Sequence, residues 1–254
     1  MKAKSFVCLM IAVVSLLAFS MPAYASKQDD RIESSARNSH VFKTYLKNDD
    51  VKVQSKDGMV TLTGTVSEES HKSLAQETVA NLSGVTDVDN KLEVEGDRPT
   101  ENSDAWITTK VKSMLLFHRN VSATTEVNTQ NGIVTLRGEA DSQAQKDLTT
   151  EYAKDVEGVK DVKNEMTVGK ASGKTSKKTQ TVTGKVDDAS VTAQVKMTLL
   201  YHRSTSALKT SVTTKNGVVI LSGKAKNTAE KDLATKFAKD VNGVKSVKNH
   251  MTIA

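Results

Sequence analysis

The sequence predicts an α+β protein of three tandem small domains, each in the order α-β-β-α-β, with two helices packed on one face of a three-stranded sheet. The first observation is a stretch of nine residues written nearly the same three times. The second is that a segment with apolar residues at helical spacing follows each copy, and another such segment precedes it. The copies are KDGMVTLTG (Lys56–Gly64), QNGIVTLRG (Gln130–Gly138) and KNGVVILSG (Lys215–Gly223). Their spacing of about 70–85 residues is too long for a solenoid unit and suits small domains.

Each repeated stretch is predicted to be a β-hairpin. Its Asp-Gly or Asn-Gly accepts the positive φ of a type I′ turn, and apolar and polar residues alternate after the turn with the period of a half-buried strand. A further glycine follows the turn glycine by 26 residues in every copy, and is predicted to end the second helix in the left-handed conformation. The structural glycines are Gly58, Gly84, Gly132, Gly158, Gly217 and Gly243.

The helices are predicted from apolar residues four positions apart. Ile107, Val111 and Leu115 mark the first helix of the second copy, and Val191, Val195 and Leu199 mark that of the third. Ser103 or Asp104, and Asp187 or Asp188, are suitable N-caps. The first copy is the most divergent.

Residues 1–25 are predicted to be a cleaved secretory signal. Lys2 and Lys4 precede an apolar run, Phe6–Phe19, and Ala23 and Ala25 occupy the positions that a signal peptidase reads. The alternative, a membrane anchor, needs about 20 apolar residues. Cys8, the single cysteine, lies inside this segment rather than at the cleavage point. We therefore expect a periplasmic protein that is not lipidated and has no disulfide.

Composition divides the rest of the chain into domains 26–95, 103–168 and 187–254. The linker 96–102 contains Pro99, whereas 169–186 is rich in Gly, Lys, Ser and Thr and has no acidic residue. The second linker is therefore predicted to be a flexible basic tether, which leaves the domains as separate modules.

Several motifs resemble the BON domain. In the second copy they are DAWITTKVKSMLL, NGIVTLRGEADSQAQ and VEGVKDVKN, and in the third they are KNGVVILSG and VNGVKSVKN. The family is found in hyperosmotically inducible periplasmic proteins and in other envelope proteins. The familiar periplasmic members look like two-domain proteins, whereas this chain has three copies. The resemblance implies a protein that maintains the envelope under osmotic stress.

No residues form a recognisable nucleophile or acid–base constellation, so we predict a protein that is not an enzyme, with no catalytic residue, metal or cofactor. His118 and His202 stand at equivalent positions, in LLFHR and LLYHR. No ligand cluster joins them at metal-binding spacing. They are interpreted as basic residues that the helix dipole favours in a last turn.

Charge indicates a partner. Residues 170–186 carry five lysines and no acidic residue, and residues 187–254 carry 11 Lys+Arg against 5 Asp+Glu. Such asymmetry favours an anionic surface, either phospholipid or another anionic envelope component, held by peripheral contact; nucleic acid is not expected outside the cytosol. The candidate lipid-binding residues are Trp106, Lys110, Phe117, Lys196, Arg203, Lys236 and Lys239.

Two alternatives remain open. Trp106 and Phe117 fall on one helical stripe, which suits either a lipid interface or packing against a neighbouring domain. The protein is alternatively a chaperone-like or adaptor protein that binds exported or outer-membrane polypeptides through its open sheet faces. Met59, Ile133, Val218 and Ile220 make these faces half-apolar, and neighbouring domains are the expected cover.

Overall fold

The computed structural model describes residues 22–96, 99–121, 125–169, 186–205 and 210–254. Most of the predicted signal and nearly all of the predicted basic linker lie outside these ranges. Within them the predicted architecture is confirmed: the chain is a series of small α-β units with three-stranded sheets.

Domain 1 departs from the plan in its first helix, which is broken. Ser39 lies between two helical segments and accepts a hydrogen bond from the Phe42 amide as the N-cap of the second segment. Its elements are α1 (Pro22–Asn38), α2 (His40–Thr44), β1 (Asp50–Lys56), β2 (Met59–Val66), α3 (Glu69–Ala80) and β3 (Asp87–Val94).

Domains 2 and 3 each begin with an unbroken helix. Ser103 and Asp187 cap these helices through their side chains, as the sequence predicts. The elements of domain 2 are α4 (Asp104–Phe117), β4 (Glu126–Gln130), β5 (Ile133–Arg137), β6 (Glu139–Ala140), α5 (Gln143–Lys154), β7 (Asp161–Asn164) and β8 (Thr167–Val168). Those of domain 3 are α6 (Asp188–Tyr201), β9 (Thr210–Lys215), β10 (Val218–Ala225), α7 (Thr228–Lys239), β11 (Ser246–Asn249) and β12 (Thr252–Ile253).

The strand after each turn is the middle strand of its sheet, an order that the sequence left open. It pairs antiparallel with the strand before the turn and parallel with the last strand. The parallel register is the same in all three domains: Met59 pairs with Asp87, Ile133 with Asp161 and Val218 with Ser246. A βαβ crossover therefore follows each hairpin and places the second helix on the sheet.

Each hairpin turn is held by a carboxylate from the first helix of its own domain. Asn131 and Gly132 have φ of 54° and 80°, as a type I′ turn requires. Their amides donate to the Asp104 carboxylate at 2.7 and 2.8 Å. Asp188 and Asp29 hold the other two turns in the same way. A Ser55 hydroxyl and the Gly58 amide also lower the pKa of Asp29.

The later glycines do not occupy the helix caps predicted for them. Helix α5 ends at Lys154 with Asp155 as its C-cap, and Gly158 follows in a separate turn that the Val159 amide closes onto the Val156 carbonyl. Its φ is 84°, which the third position of a type II turn demands. Gly84 and Gly243 have the same place in their domains, so glycine is required there by the turn and not by the helix end.

Helix α6 lies at the centre of the molecule and is buried on nearly every side. Helices α3 of domain 1 and α4 of domain 2 pack against it, whereas a helix that faces only its own sheet buries one stripe. Its buried residues are Ala189, Ser190, Val191, Thr192, Ala193, Gln194, Val195, Met197, Thr198, Leu199 and Tyr201. The three domains share one apolar core. The expectation of separate modules is wrong, because their helices pack together.

Candidate functional site

The sequence motifs LLFHR and LLYHR bring domains 2 and 3 together. The chain after α4 meets the end of α7, and the chain after α6 meets the end of α5. The Arg119 amide donates to the Asp240 carbonyl at 2.9 Å, and the Arg203 amide to the Asp155 carbonyl at 2.8 Å. The two contacts are equivalent, so an approximate two-fold relation connects the domains.

His118 and His202 meet at the centre of this contact. Their Nε2 atoms lie 3.3 Å apart, and both side chains are 0% exposed. His202 Nδ1 lies 2.9 Å from Asp155 Oδ2. His118 Nδ1 lies 3.2 Å from Asp240 Oδ2 without hydrogen-bond geometry. We call these two side chains the histidine pair.

Aromatic rings enclose the histidine pair. Phe237 stacks on His202 with centroids 3.7 Å apart, and Tyr152 lies 4.1 Å from His118. The Tyr152 hydroxyl donates to Asp240 Oδ2 at 2.8 Å. Burial raises the pKa of Tyr152 well above its ordinary value, and the Asp240 charge adds to this effect. Burial lowers the pKa of His202, against a hydrogen bond to Asp155 that raises it.

The interpretation of these histidines as basic residues favoured by the helix dipole is therefore incomplete. Each is the C-cap of its helix and is buried between domains. Sequence reasoning missed Tyr152, Asp155 and Asp240. A signal was available: copies two and three both contain His-Arg after the first helix and AKDV after the second, and copy one contains neither. Within the described ranges, no group of His, Cys, Asp and Glu is arranged to hold a metal ion.

An exposed leucine lies beside each half of this contact. Leu116 is 41% exposed and Leu200 is 48% exposed, at equivalent positions of α4 and α6. Basic residues lie near each of them in sequence or next to a residue contacted from the same segment. Lys112 and Arg119 lie on either side of Leu116 in sequence, and Arg119 Nη2 donates to the Lys239 carbonyl at 2.8 Å.

The second leucine has the equivalent neighbours. They are Lys196 one turn earlier, Arg203 three residues later, and Lys154, which precedes the Asp155 carbonyl that Arg203 contacts. We call each leucine with its three cations a leucine patch: Lys112, Leu116, Arg119 and Lys239 form the first, and Lys196, Leu200, Arg203 and Lys154 form the second.

The predicted aromatic stripe lies against neighbouring domains. Phe117 is 2% exposed and makes an edge contact with Tyr45 of domain 1, with centroids 5.4 Å apart. Lys110 Nζ lies 3.7 Å above the Trp106 ring and 5.6 Å from the Tyr201 centroid, and burial lowers its pKa. Phe117 therefore follows the inter-domain alternative and is removed from any exposed surface, while Trp106 and Lys110 are half-buried.

The predicted lipid-binding cations differ in ion pairing and exposure. Lys196 forms an ion pair with Glu77 of domain 1 at 2.8 Å, and Arg203 Nε lies 3.7 Å from Asp155 Oδ1. Lys236 and Lys239 are exposed in the last turn of α7. The seven candidates therefore do not form one surface, although Lys196, Arg203 and Lys239 belong to the leucine patches.

Neighbouring domains do not cover the sheet faces, so that expectation is wrong. The packing between domains in the described residues is chiefly helix on helix. The face of the first sheet opposite its helices carries Gln54, Thr61 and Lys91 among other polar residues, and Met59 at its turn is 53% exposed. The open face of the first sheet is therefore mostly polar, while Ile133, Val218 and Ile220 on the other two are half-buried.

The BON domain model matches residues 28–96, 103–170 and 187–254. This chain belongs to the BON domain family. It is 39% identical over 149 residues to the osmotically-inducible protein Y of Escherichia coli. This match covers 58% of the present chain and 71% of the relative. It is 36% identical over 116 residues to the 21 kDa hemolysin of Actinobacillus pleuropneumoniae, covering 44% of this chain and 59% of that one.

A solved structure of CdsD, a structural protein of the Chlamydia trachomatis type III secretion system, also matches this BON protein. The two are 16% identical with a TM-score of 0.24, over 87% of this chain and 91% of that chain. Among the helices that the structure describes, none has both the length and the apolar character needed to cross a bilayer.

Proposed function

We propose that this BON protein is a non-enzymatic periplasmic protein of osmotic stress that binds anionic phospholipid surfaces peripherally through the two leucine patches. The observation that carries the proposal is the pair of exposed leucines, Leu116 and Leu200, each with a lysine four residues before it and an arginine three residues after it. An apolar group among basic groups suits the boundary between headgroups and acyl chains.

The expected energies are sufficient for reversible binding. Burying a leucine side chain contributes about 1.5–3 kcal/mol, and each Lys or Arg near an anionic bilayer contributes about 1 kcal/mol. If both patches reach one bilayer surface, attachment through both is stronger than through either. Phe117 takes no part, because it lies inside the molecule.

The comparisons and the N-terminus support this proposal. One relative is named for osmotic induction, and another is named a hemolysin, which describes lysis of a cell. The predicted signal in residues 1–25 supports export, and so contact with an envelope membrane.

Co-sedimentation with vesicles tests the proposal. We expect binding to phosphatidylglycerol vesicles at low salt, weaker binding at high salt because ions screen the cations, and little binding to phosphatidylcholine. The double variant Leu116→Ser/Leu200→Ser should bind at least about tenfold more weakly, since about 1.4 kcal/mol corresponds to tenfold.

The matched control is Val168→Ser/Ile253→Ser, which alters two other exposed apolar residues outside the patches. We expect it to bind as the native protein does. Absence of binding at low salt rejects the proposal, and equal losses in both double variants reject the assignment to Leu116 and Leu200.

Met59 favours a second candidate function. It is 53% exposed at the first hairpin, on an open sheet face, and a flexible thioether side chain suits binding of varied polypeptides. Suppression of client aggregation without lipid, lost in Met59→Ser and kept in Leu116→Ser/Leu200→Ser, would support a chaperone-like or adaptor protein for exported polypeptides instead.

A further inference from the structure

We propose that the histidine pair is an acid-sensitive contact, which holds domains 2 and 3 together while one proton lies between the rings and separates them when a second proton binds at His202 Nε2. The inference concerns the contact between two domains of the chain and does not depend on lipid binding. It rests on the geometry of the pair, on the carboxylates at its two ends and on the rings that confine it.

The distance between the two Nε2 atoms sets the number of protons. At 3.3 Å one nitrogen donates and the other accepts. With no proton between them, two lone pairs face each other. With two protons, two N–H groups face each other and neither has an acceptor. The closed contact therefore needs one bridging proton.

The Nδ1 atoms fix which ring carries it. His202 Nδ1 lies 2.9 Å from Asp155 Oδ2 and so donates to that carboxylate, which leaves its Nε2 as the acceptor when the ring is neutral. His118 then donates from Nε2. Its Nδ1 has no hydrogen-bond partner, although Asp240 Oδ2 lies 3.2 Å away and accepts the Tyr152 hydroxyl. Both rings are neutral in this arrangement.

Protonation of His202 breaks this arrangement. Because its Nδ1 already carries a proton, the added proton must go to Nε2, which accepts the proton from His118. The resulting pair of facing N–H groups is buried without an acceptor, which costs about 1–3 kcal/mol or more for charged groups.

The surroundings prevent the rings from relieving this clash in place. Phe237 stacks 3.7 Å from His202 with an interplanar angle of 8°, and Tyr152 lies 4.1 Å from His118. Both imidazoles are 0% exposed, so water does not supply an acceptor. Separation of the domains is then the route by which the second Nε2–H gains a partner.

The other charged groups at the contact do not remove the effect. Asp155 and Asp240 face the Nδ1 atoms, not the Nε2 atoms. Arg203 Nε lies 3.7 Å from Asp155 Oδ1, and Arg119 Nη2 donates to the carbonyls of Lys239, Val241 and Val244. Both guanidinium groups keep their charge at every relevant pH, so they disfavour further positive charge in the contact.

The direction of the pH dependence follows from burial. Burial lowers the pKa of His202 below its ordinary value of 6.5. Below pH 6.5 the separated state therefore binds more protons than the closed state. Stability of the contact is fully present above about pH 6.5 and is lost as the pH falls towards the lowered pKa.

Trp106 provides a built-in reporter. It is the single tryptophan, and Lys110 lies between its ring and that of Tyr201 in domain 3. Separation of domains 2 and 3 should change Trp106 fluorescence and raise the radius of gyration measured by small-angle X-ray scattering. Long-range ¹H–¹⁵N spectra report the tautomers of the five histidines directly, without any substitution.

The experiment uses residues 26–254, the predicted mature chain, titrated from pH 8 to 4.5. We expect the tautomers described above at pH 8, and one cooperative transition below pH 6.5 in which both histidine signals, the fluorescence and the radius of gyration change together. His118→Gln should move the midpoint down by about one pH unit or abolish the transition, because a glutamine amide can accept as well as donate.

His250→Asn and His40→Asn are the matched controls. His250 is exposed, and His40 lies at the contact between domains 1 and 3; we expect the native transition in both variants. An unchanged radius of gyration down to pH 4.5 overturns the proposal, as does a native midpoint in a folded His118→Gln. If that variant fails to fold, the spectra of the native chain decide: two independent histidine titrations in a closed protein overturn it.

Discussion

Domain 3 contacts its two neighbours by different means, although the three domains share one fold. Its contact with domain 2 centres on two fully buried histidines, with carboxylates and aromatic rings around them. Its contact with domain 1 consists of α3 packed on α6, with partly exposed polar links such as Lys196 to Glu77 and the His40 amide to Asp187. The contact with domain 2 therefore depends on buried polar groups, whereas the contact with domain 1 depends mainly on apolar area.

Substitution of Phe117 should have the largest effect, because this ring lies where the domains converge. Phe117→Ala removes a buried ring that contacts Tyr45 of domain 1 and precedes the histidine pair. We expect a loss of about 3–5 kcal/mol in the free energy of unfolding, measured by chemical denaturation. Leu116→Ser, at the exposed neighbouring position, should change it by less than about 0.5 kcal/mol.

Equal effects of the two substitutions would contradict the burial of Phe117. A change in the denaturant dependence alone, without a change in midpoint, would point to the denatured state and would leave the contact with Tyr45 unsupported.

Removal of a carboxylate from the histidine contact should have the next largest effect. Asp155→Ala leaves His202 Nδ1 and the Ser204 hydroxyl without their acceptor. Leaving a buried donor without its acceptor costs about 1–3 kcal/mol, and we expect a loss within this range. Chemical denaturation at pH 7.5 measures it.

Asp147→Ala is the control for that substitution, since it removes an exposed carboxylate from the same helix. An Asp155→Ala protein as stable as this control would show that the carboxylate does not hold His202.

The smallest effect is expected in the contact between domains 1 and 3. Lys196 and Glu77 are each about one-third exposed, so their pairing should contribute less than about 1 kcal/mol. A double-mutant cycle with Lys196→Ala and Glu77→Ala measures this coupling energy, which should fall further in high salt. A coupling of several kcal/mol would remove the distinction between the two contacts.

The fold was accessible from sequence because its signals are local. Asn131-Gly132 and the alternation after it specify a hairpin in any context, and Ser103 specifies a helix start. The packing between domains was not accessible in the same way. Phe117 and Trp106 lie on a stripe that suits lipid and protein equally, and only the position of Tyr45 and Tyr201 in other domains distinguishes the two.

The candidate site was only partly predicted for a related reason. Lys236 and Lys239 could be recognised as surface cations, but the exposure of Leu116 and Leu200 depends on where the neighbouring domains end. The four-residue spacing of apolar residues does not distinguish these two exposed leucines from the buried residues beside them. The joint presence of His-Arg and AKDV in two copies was the one signal for the histidine contact.

The central place of helix α6 bears on how the protein matures. Domain 3 is synthesised after domains 1 and 2, yet its first helix covers apolar faces of both earlier domains. Until it emerges, those faces remain open to water and to other nascent chains, so the first two domains are vulnerable to aggregation on their own. Passage across a membrane in an unfolded state would defer this risk until all three parts arrive together.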